Sequence, residues 1–97
     1  MDYIKKIVRS GCMEYQVDVQ MGYDEVDGEL LIKTQVREYE KNSVVTRKPL
    51  FEVVRSARHI MGVHKNLIEY IVWLIRDYEK YVLTPFKEVI NWDGEIS

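Results

Sequence analysis

The stretch Met13–Glu14–Tyr15–Gln16–Val17–Asp18–Val19–Gln20–Met21 alternates apolar and polar side chains without interruption. Successive side chains of an extended backbone point to opposite faces, so this period of two marks a strand with one buried and one wet face. A second alternation follows from Glu29 to Glu38, where Leu30, Ile32, Thr34 and Val36 interleave with Leu31, Lys33, Gln35 and Arg37. The glycine-bounded acidic segment from Gly22 to Gly28 separates the two, which predicts an antiparallel hairpin with a longish loop. Val44–Val45–Thr46 is expected to add a short strand after Lys41–Ser43. Tyr3–Val8 fits either period and is read as a strand ended by Ser10–Gly11.

From Pro49 the spacing becomes helical: Leu50, Val53, Val54, Ala57, Ile60 and Met61 fall on one arc of about 120° at about 100° per residue. A helix over about 50–61 is expected, then a break at Gly62–Lys65, with Gly62 as a left-handed terminator. Asn66 with Glu69 three residues on resembles a capping box opening a helix over about 67–82. Thr84–Pro85 reads as the cap and first turn of a short third helix to about Asn91, stopped at Asp93–Gly94. The expected fold is therefore α+β: a small antiparallel sheet of two to four strands, β-rich over about 1–48, packed against two or three helices over 49–97. At 97 residues the chain is expected to form one domain, 1–97.

Composition narrows the function classes. Apolar residues at 46% and charged residues at 31% fit a folding globular chain and exclude a disordered or fibrous one. No uncharged apolar run approaches the roughly 18 residues that cross a bilayer, and Met1–Arg9 has no leader-like apolar segment, so a cytoplasmic protein without membrane contact is expected. The single cysteine, Cys12, excludes an intrachain disulfide framework and a multi-cysteine zinc site.

Charge is unevenly spread although the net charge is only −2. Residues 13–40 hold eight acids (Glu14, Asp18, Asp24, Glu25, Asp27, Glu29, Glu38 and Glu40) against Lys33 and Arg37. Residues 41–65 hold Lys41, Arg47, Lys48, Arg55, Arg58 and Lys65 against Glu52. Blocks of opposite sign either neutralise each other across the fold or present a basic surface. On the expected helix, Arg55, Arg58 and His59 lie away from the apolar arc, between Arg47–Lys48 and Lys65, with Phe51 placed to stack or pack. These residues are the expected contacts for an anionic partner.

The expected helix over 67–82 carries an apolar arc of about 200°, more than a single sheet face covers. Trp73 lies outside that arc, among Glu69, Arg76 and Lys80. Trp73 with Tyr70 and Phe51 is the expected protein interface, most simply in a homodimer.

Catalytic motifs are thin. Cys12 lacks a helix N-terminus to depress its pKa, and pairing it with His59 or His64 requires a contact that spacing does not show. Two histidines five apart across a break do not make a metal site, and Val26 stands where an EF-hand loop needs an oxygen, so neither metal nor cofactor is expected. The five glycines are isolated, which excludes a P-loop. The expected function is a small non-catalytic binding protein, an accessory or inhibitor of the size class found in viruses and other mobile elements. A nucleic-acid-binding protein using 41–65 is the alternative, and a small enzyme built on Cys12 and a histidine is the third.

Overall fold

The computed structural model describes residues 3–41 and 47–96. Among them the chain runs through strands β1 (Tyr3–Ser10), β2 (Met13–Asp24), β3 (Glu29–Glu38) and β4 (Phe51–Ser56), then helices α1 (Ala57–Val63), α2 (Leu67–Tyr78) and α3 (Thr84–Asn91), with a π-turn (Glu79–Leu83) joining the last two. The α+β class expected from the two periodicities is what the chain adopts. The chain divides into two compact units, the first ending at Val63 and the second beginning at His64.

In the first unit the strands form an antiparallel sheet in the order β1-β2-β3-β4. Register places Val17 opposite Val36, Val19 opposite Thr34 and Met21 opposite Ile32, so the apolar positions of both alternating segments share one face. Tyr15, Val17, Val19, Ile32, Thr34 and Val36 are buried there, and Ile60 of α1 is buried in the same unit. Gly11, at φ 61°, turns β1 into β2. At the other hairpin Asp24 shapes the loop: its Oδ1 accepts from the Val26 amide at 3.0 Å, and its carbonyl accepts from Gly28 N at 2.7 Å. Gly28, at φ 68°, meets the left-handed requirement of that turn.

The outer face of the sheet carries a polar lattice centred on Asp18, which is only 4% exposed. Its carboxylate accepts from the Tyr3 hydroxyl at 2.9 Å and from Gln16 Nε2 at 3.2 Å, and Arg37 Nε stands 3.3 Å away. Arg37 also donates to Gln35 Oε1 at 3.1 Å and to the Arg47 carbonyl at 2.8 Å. A buried carboxylate is tolerable only when paired in this manner. Donation to Asp18 holds the Tyr3 phenol protonated to higher pH than an ordinary tyrosine. Farther along, Gln35 donates to Glu52 at 2.9 Å and Lys33 lies 3.5 Å from it. The Gln35 hydrogen bond, with Lys33 adding, lowers the Glu52 carboxyl below its ordinary value.

Two expectations are corrected in this region. The segment expected as a helix over 50–61 is a strand followed by a helix: β4 pairs with β3, and the Leu50 amide donates to Val36 at 2.7 Å. Phe51, Val53 and Arg55 take one face and Glu52, Val54 and Ser56 the other, a period of two concealed by apolar residues that also satisfy helical spacing. Ser56 then caps α1, its Oγ accepting from the His59 amide at 3.1 Å. The β-rich part accordingly reaches Ser56 and not about residue 48. Gly62 lies within α1 and is not among the glycines with positive φ, which are Gly11, Gly28 and Gly94. The strand expected at Val44–Thr46 falls outside the described residues.

In the second unit Asn66 caps α2 as expected, its Oδ1 accepting from Glu69 N at 2.8 Å. Tyr70, Leu74 and Ile75 of α2 are buried. The break expected before Thr84–Pro85 is absent, and right-handed helical backbone continues from Tyr78 through Thr84. Pro85 has no amide hydrogen and its ring crowds the carbonyl of the preceding turn, which a regular α-helix accommodates poorly. The wider π-turn ahead of it resolves the conflict, with the Thr84 amide donating five residues back to Glu79. Among the described residues no helix is long and apolar enough to cross a membrane.

Candidate binding surface

The basic residues do not assemble on a helix face. Arg47 and Lys48 lie on the exposed approach to β4, Arg55 on β4, Arg58 and His59 on α1, and Lys65 in the turn before α2. Arg47 is already ion-paired with Glu40, whose hydrogen bond raises the guanidinium's hold on its proton. Arg58 lines a cleft of about 530 Å³ together with Asp27 and Glu29 of the acidic hairpin. Lys33–Glu52 and Arg9–Glu14 are further local pairs. The acidic and basic blocks thus meet at Arg47–Glu40, at Lys33–Glu52 and along the Arg58 cleft, all within the first unit.

The expected aromatic contacts also separate. Phe51 is half-buried on the inner face, opposite Val36, so it is not an outward stacking platform. Tyr70 is 2% exposed and offers no surface. Trp73 is 47% exposed, and its ring lies 5.3 Å from that of His64, which is 5.4 Å from Tyr70. His64 is a packing residue of that small aromatic group.

Cys12 is exposed in the turn between β1 and β2. His59 follows Ser56, which pairs with Leu31, itself opposite Gly22 at the far end of β2. At about 3.3 Å per residue the two ends of the sheet lie roughly 30 Å apart, so Cys12 and His59 form no catalytic pair. Among the described residues no group of three or more histidine, cysteine or carboxylate side chains is placed to hold a metal ion.

An exposed surface that pattern reading alone did not single out lies on the C-terminal helix. None of the residues of α3 is buried. Phe86 (62% exposed), Val89 and Ile90 (64% each) share one side of it, while Lys87, Glu88 and Asn91 share the other. The π-turn extends the surface backward. One extra residue in a helix rotates all that follows by about 100°, and this rotation returns Phe86, Val89 and Ile90 to the side of the helix that carries Tyr70 and Leu74. Val82, also exposed, joins the row. An apolar seam that is buried along α2 therefore continues uncovered along α3. Tyr81 and Trp92 stand exposed near its two ends. The Trp92 indole is fixed by donation to the Glu95 carbonyl at 3.0 Å, while Lys80 Nζ lies 5.1 Å from the centre of the Tyr81 ring.

The sequence signal for this surface is the spacing of Val82, Phe86, Val89 and Ile90. It is obscured by Thr84–Pro85, which looks like the start of a separate helix and hides the inserted residue that aligns the row. No family model, curated protein or solved structure matches the chain.

Proposed function

We propose that the protein is a small non-catalytic binding protein that works through the apolar row Val82, Phe86, Val89 and Ile90. The observation that carries this function is the amphipathic α3, apolar along one side and polar along the other, with no residue of it buried. Covering what each of these side chains still exposes would contribute roughly 1–2 kcal/mol, a driving force the isolated chain leaves unused. An accessory or inhibitor role inside a cell, of the sort small viral proteins perform, suits a module of this size, and an exposed free thiol at Cys12 fits a reducing cytoplasm. A nucleic-acid partner has weaker support, because the basic residues are spread over several elements and partly paired.

A photocrosslinking side chain placed at Phe86 tests the role directly, with the same group at Asn91 on the polar side as control. Adducts at position 86 that are absent at 91 are expected in extracts of the native cell. Equal yields at both positions would remove α3 as the working surface.

A further inference from the structure

Independently of the α3 row, we infer that β1 is a docking edge of the first unit, where an extended acidic segment of a partner protein adds as a further antiparallel strand. β1 stands at one end of the strand order β1-β2-β3-β4, so one side of its backbone has no neighbouring strand among the described residues. The hydrogen bonds identify which groups face that side. Tyr39 N donates to the Glu14 carbonyl, so the even-numbered residues of β2 turn their amides and carbonyls to β3 and the odd-numbered ones turn theirs to β1. Val19, Val17 and Tyr15 pair with Ile4, Lys6 and Val8, which leaves the amides and carbonyls of Tyr3, Lys5, Ile7 and Arg9 directed outward. Such a row of alternating donors and acceptors is matched by another extended backbone, whereas the phosphates of a nucleic acid offer acceptors only.

The edge is open as well as unpaired. Its register with β2 runs without a bulge from the Tyr3/Gln20 pair to the Ser10/Met13 pair, and no proline interrupts it. Every residue from Tyr3 to Ile7 is exposed, with Ile4 on the inner face at 56% and Ile7 on the outer at 40%. An added strand would find apolar ground on both faces.

Charge selects the occupant. β1 carries Lys5, Lys6 and Arg9 and no acid. Arg9 has a partner in Glu14 at 3.6 Å, in solvent. Lys5 lies across from Asp18, but that carboxylate is engaged by Tyr3, Gln16 and Arg37, and Lys6 lies across from Val17. Edge lysines deter strands like their own. Two β1 strands joined antiparallel through their outward groups would set Lys6 against Lys6 in the register spanning Tyr3–Arg9, or Lys5 against Arg9 in that spanning Ile4–Ser10, which disfavours a second copy. A strand with carboxylates opposite Arg9, Lys6 and Lys5 and apolar side chains opposite Val8, Ile7 and Ile4 gains at each position instead. Read from its own N-terminus, that occupant runs acid, apolar, apolar, acid, acid, apolar.

Amide hydrogen exchange on the full chain, with and without the peptide acetyl-Glu-Val-Val-Glu-Glu-Val-Thr-amide, provides the first arm of the test. In the free chain the amides of Ile4, Lys6 and Val8 are expected to exchange slowly and those of Lys5, Ile7 and Arg9 fast, and saturating peptide is expected to slow the second set at least about tenfold. Binding titrations provide the second arm and need no variant of the protein. N-methylation of the peptide residues facing Arg9, Ile7 and Lys5 is expected to weaken binding about tenfold or more, because it removes the bonds to the edge, and methylation of those facing Val8, Lys6 and Ile4 to weaken it less than about threefold. The counterpart with lysine in place of each glutamate is expected not to bind.

Uniform exchange along β1, an acidic peptide that does not bind at millimolar concentration, or equal losses from the two methylated sets overturns the inference. Tighter binding of a single-stranded DNA oligonucleotide, with exchange at Lys5, Ile7 and Arg9 left fast, would replace the acidic strand with a nucleic acid. Phe86→Asp, which alters only the α3 row, is expected to leave the peptide's affinity unchanged. A loss of binding there would place the peptide on α3 and equally overturn the assignment to β1.

Discussion

Thr34 lies in the middle of the inner sheet face, opposite Val19 on β2 and Val53 on β4. It is fully buried, and among the described residues its hydroxyl has no hydrogen-bond partner. A buried hydroxyl without a partner opposes folding, and valine keeps the shape while removing the polar atom. Thr34→Val is therefore expected to stabilise the chain by about 1 kcal/mol, read as a rise of roughly 4–8 °C in the thermal midpoint. A drop in the midpoint would mean that the hydroxyl is satisfied. Tyr3 supplies the pH-dependent counterpart. Its proton is held more tightly in the folded chain because the hydroxyl donates to Asp18. The stabilisation is complete below the ordinary tyrosine value of about 10 and is lost as pH rises through the higher folded value. The difference in urea midpoint between wild type and Tyr3→Phe should stay constant from neutral pH to about 10 and shrink above it. A difference that grows with pH would contradict the assigned hydrogen bond.

At the scale of elements, α1 reverses a sequence expectation and yields a prediction of the opposite sign. Gly62 sits inside the helix, exposed, and a Cβ there would meet nothing within 4 Å. Gly62→Ala is expected to stabilise by roughly 0.5–1 kcal/mol, because alanine loses less backbone entropy in a helix. Chemical denaturation that shows a loss of similar size would restore the left-handed terminator. The two central strands were legible because a strict period of two admits a single register against a buried face. Asn66 was legible because an asparagine followed three residues later by a glutamate states a cap locally. The segment 50–61 was not, since Val53, Val54 and Ala57 satisfy both periods at once. What decides it is non-local: the open edge of β3, with Lys33 and Gln35 placed to meet Glu52. Thr84–Pro85 misled for a related reason. Proline signals a helix start, and the π-turn that lets a helix pass through it has no sequence mark of its own.

Considered whole, the described residues pair part of their charge within the first unit and leave apolar side chains exposed on several elements, among them β1, α1 and α3. The sheet places Asp18, Arg37, Gln35 and Glu52 in one lattice, Arg47 is paired with Glu40, and Arg58 shares a cleft with Asp27 and Glu29. The 200° arc that suggested self-association in the sequence is mostly accounted for on α2, where Tyr70, Leu74 and Ile75 are buried and Ile71, Val72 and Tyr78 half-buried. A further exposed apolar row lies farther along, on α3. The central claim is that this surface is open in the isolated chain and covered by a partner in use. Thiol reactivity of Val89→Cys in a Cys12→Ser background, followed with and without extract of the native cell, tests it most directly, since valine and cysteine are close in size. Rapid labelling of the isolated chain and protection in the extract are expected. Slow labelling of the isolated chain would show the row to be packed within its own chain, and labelling that the extract leaves unchanged would show that no partner covers it.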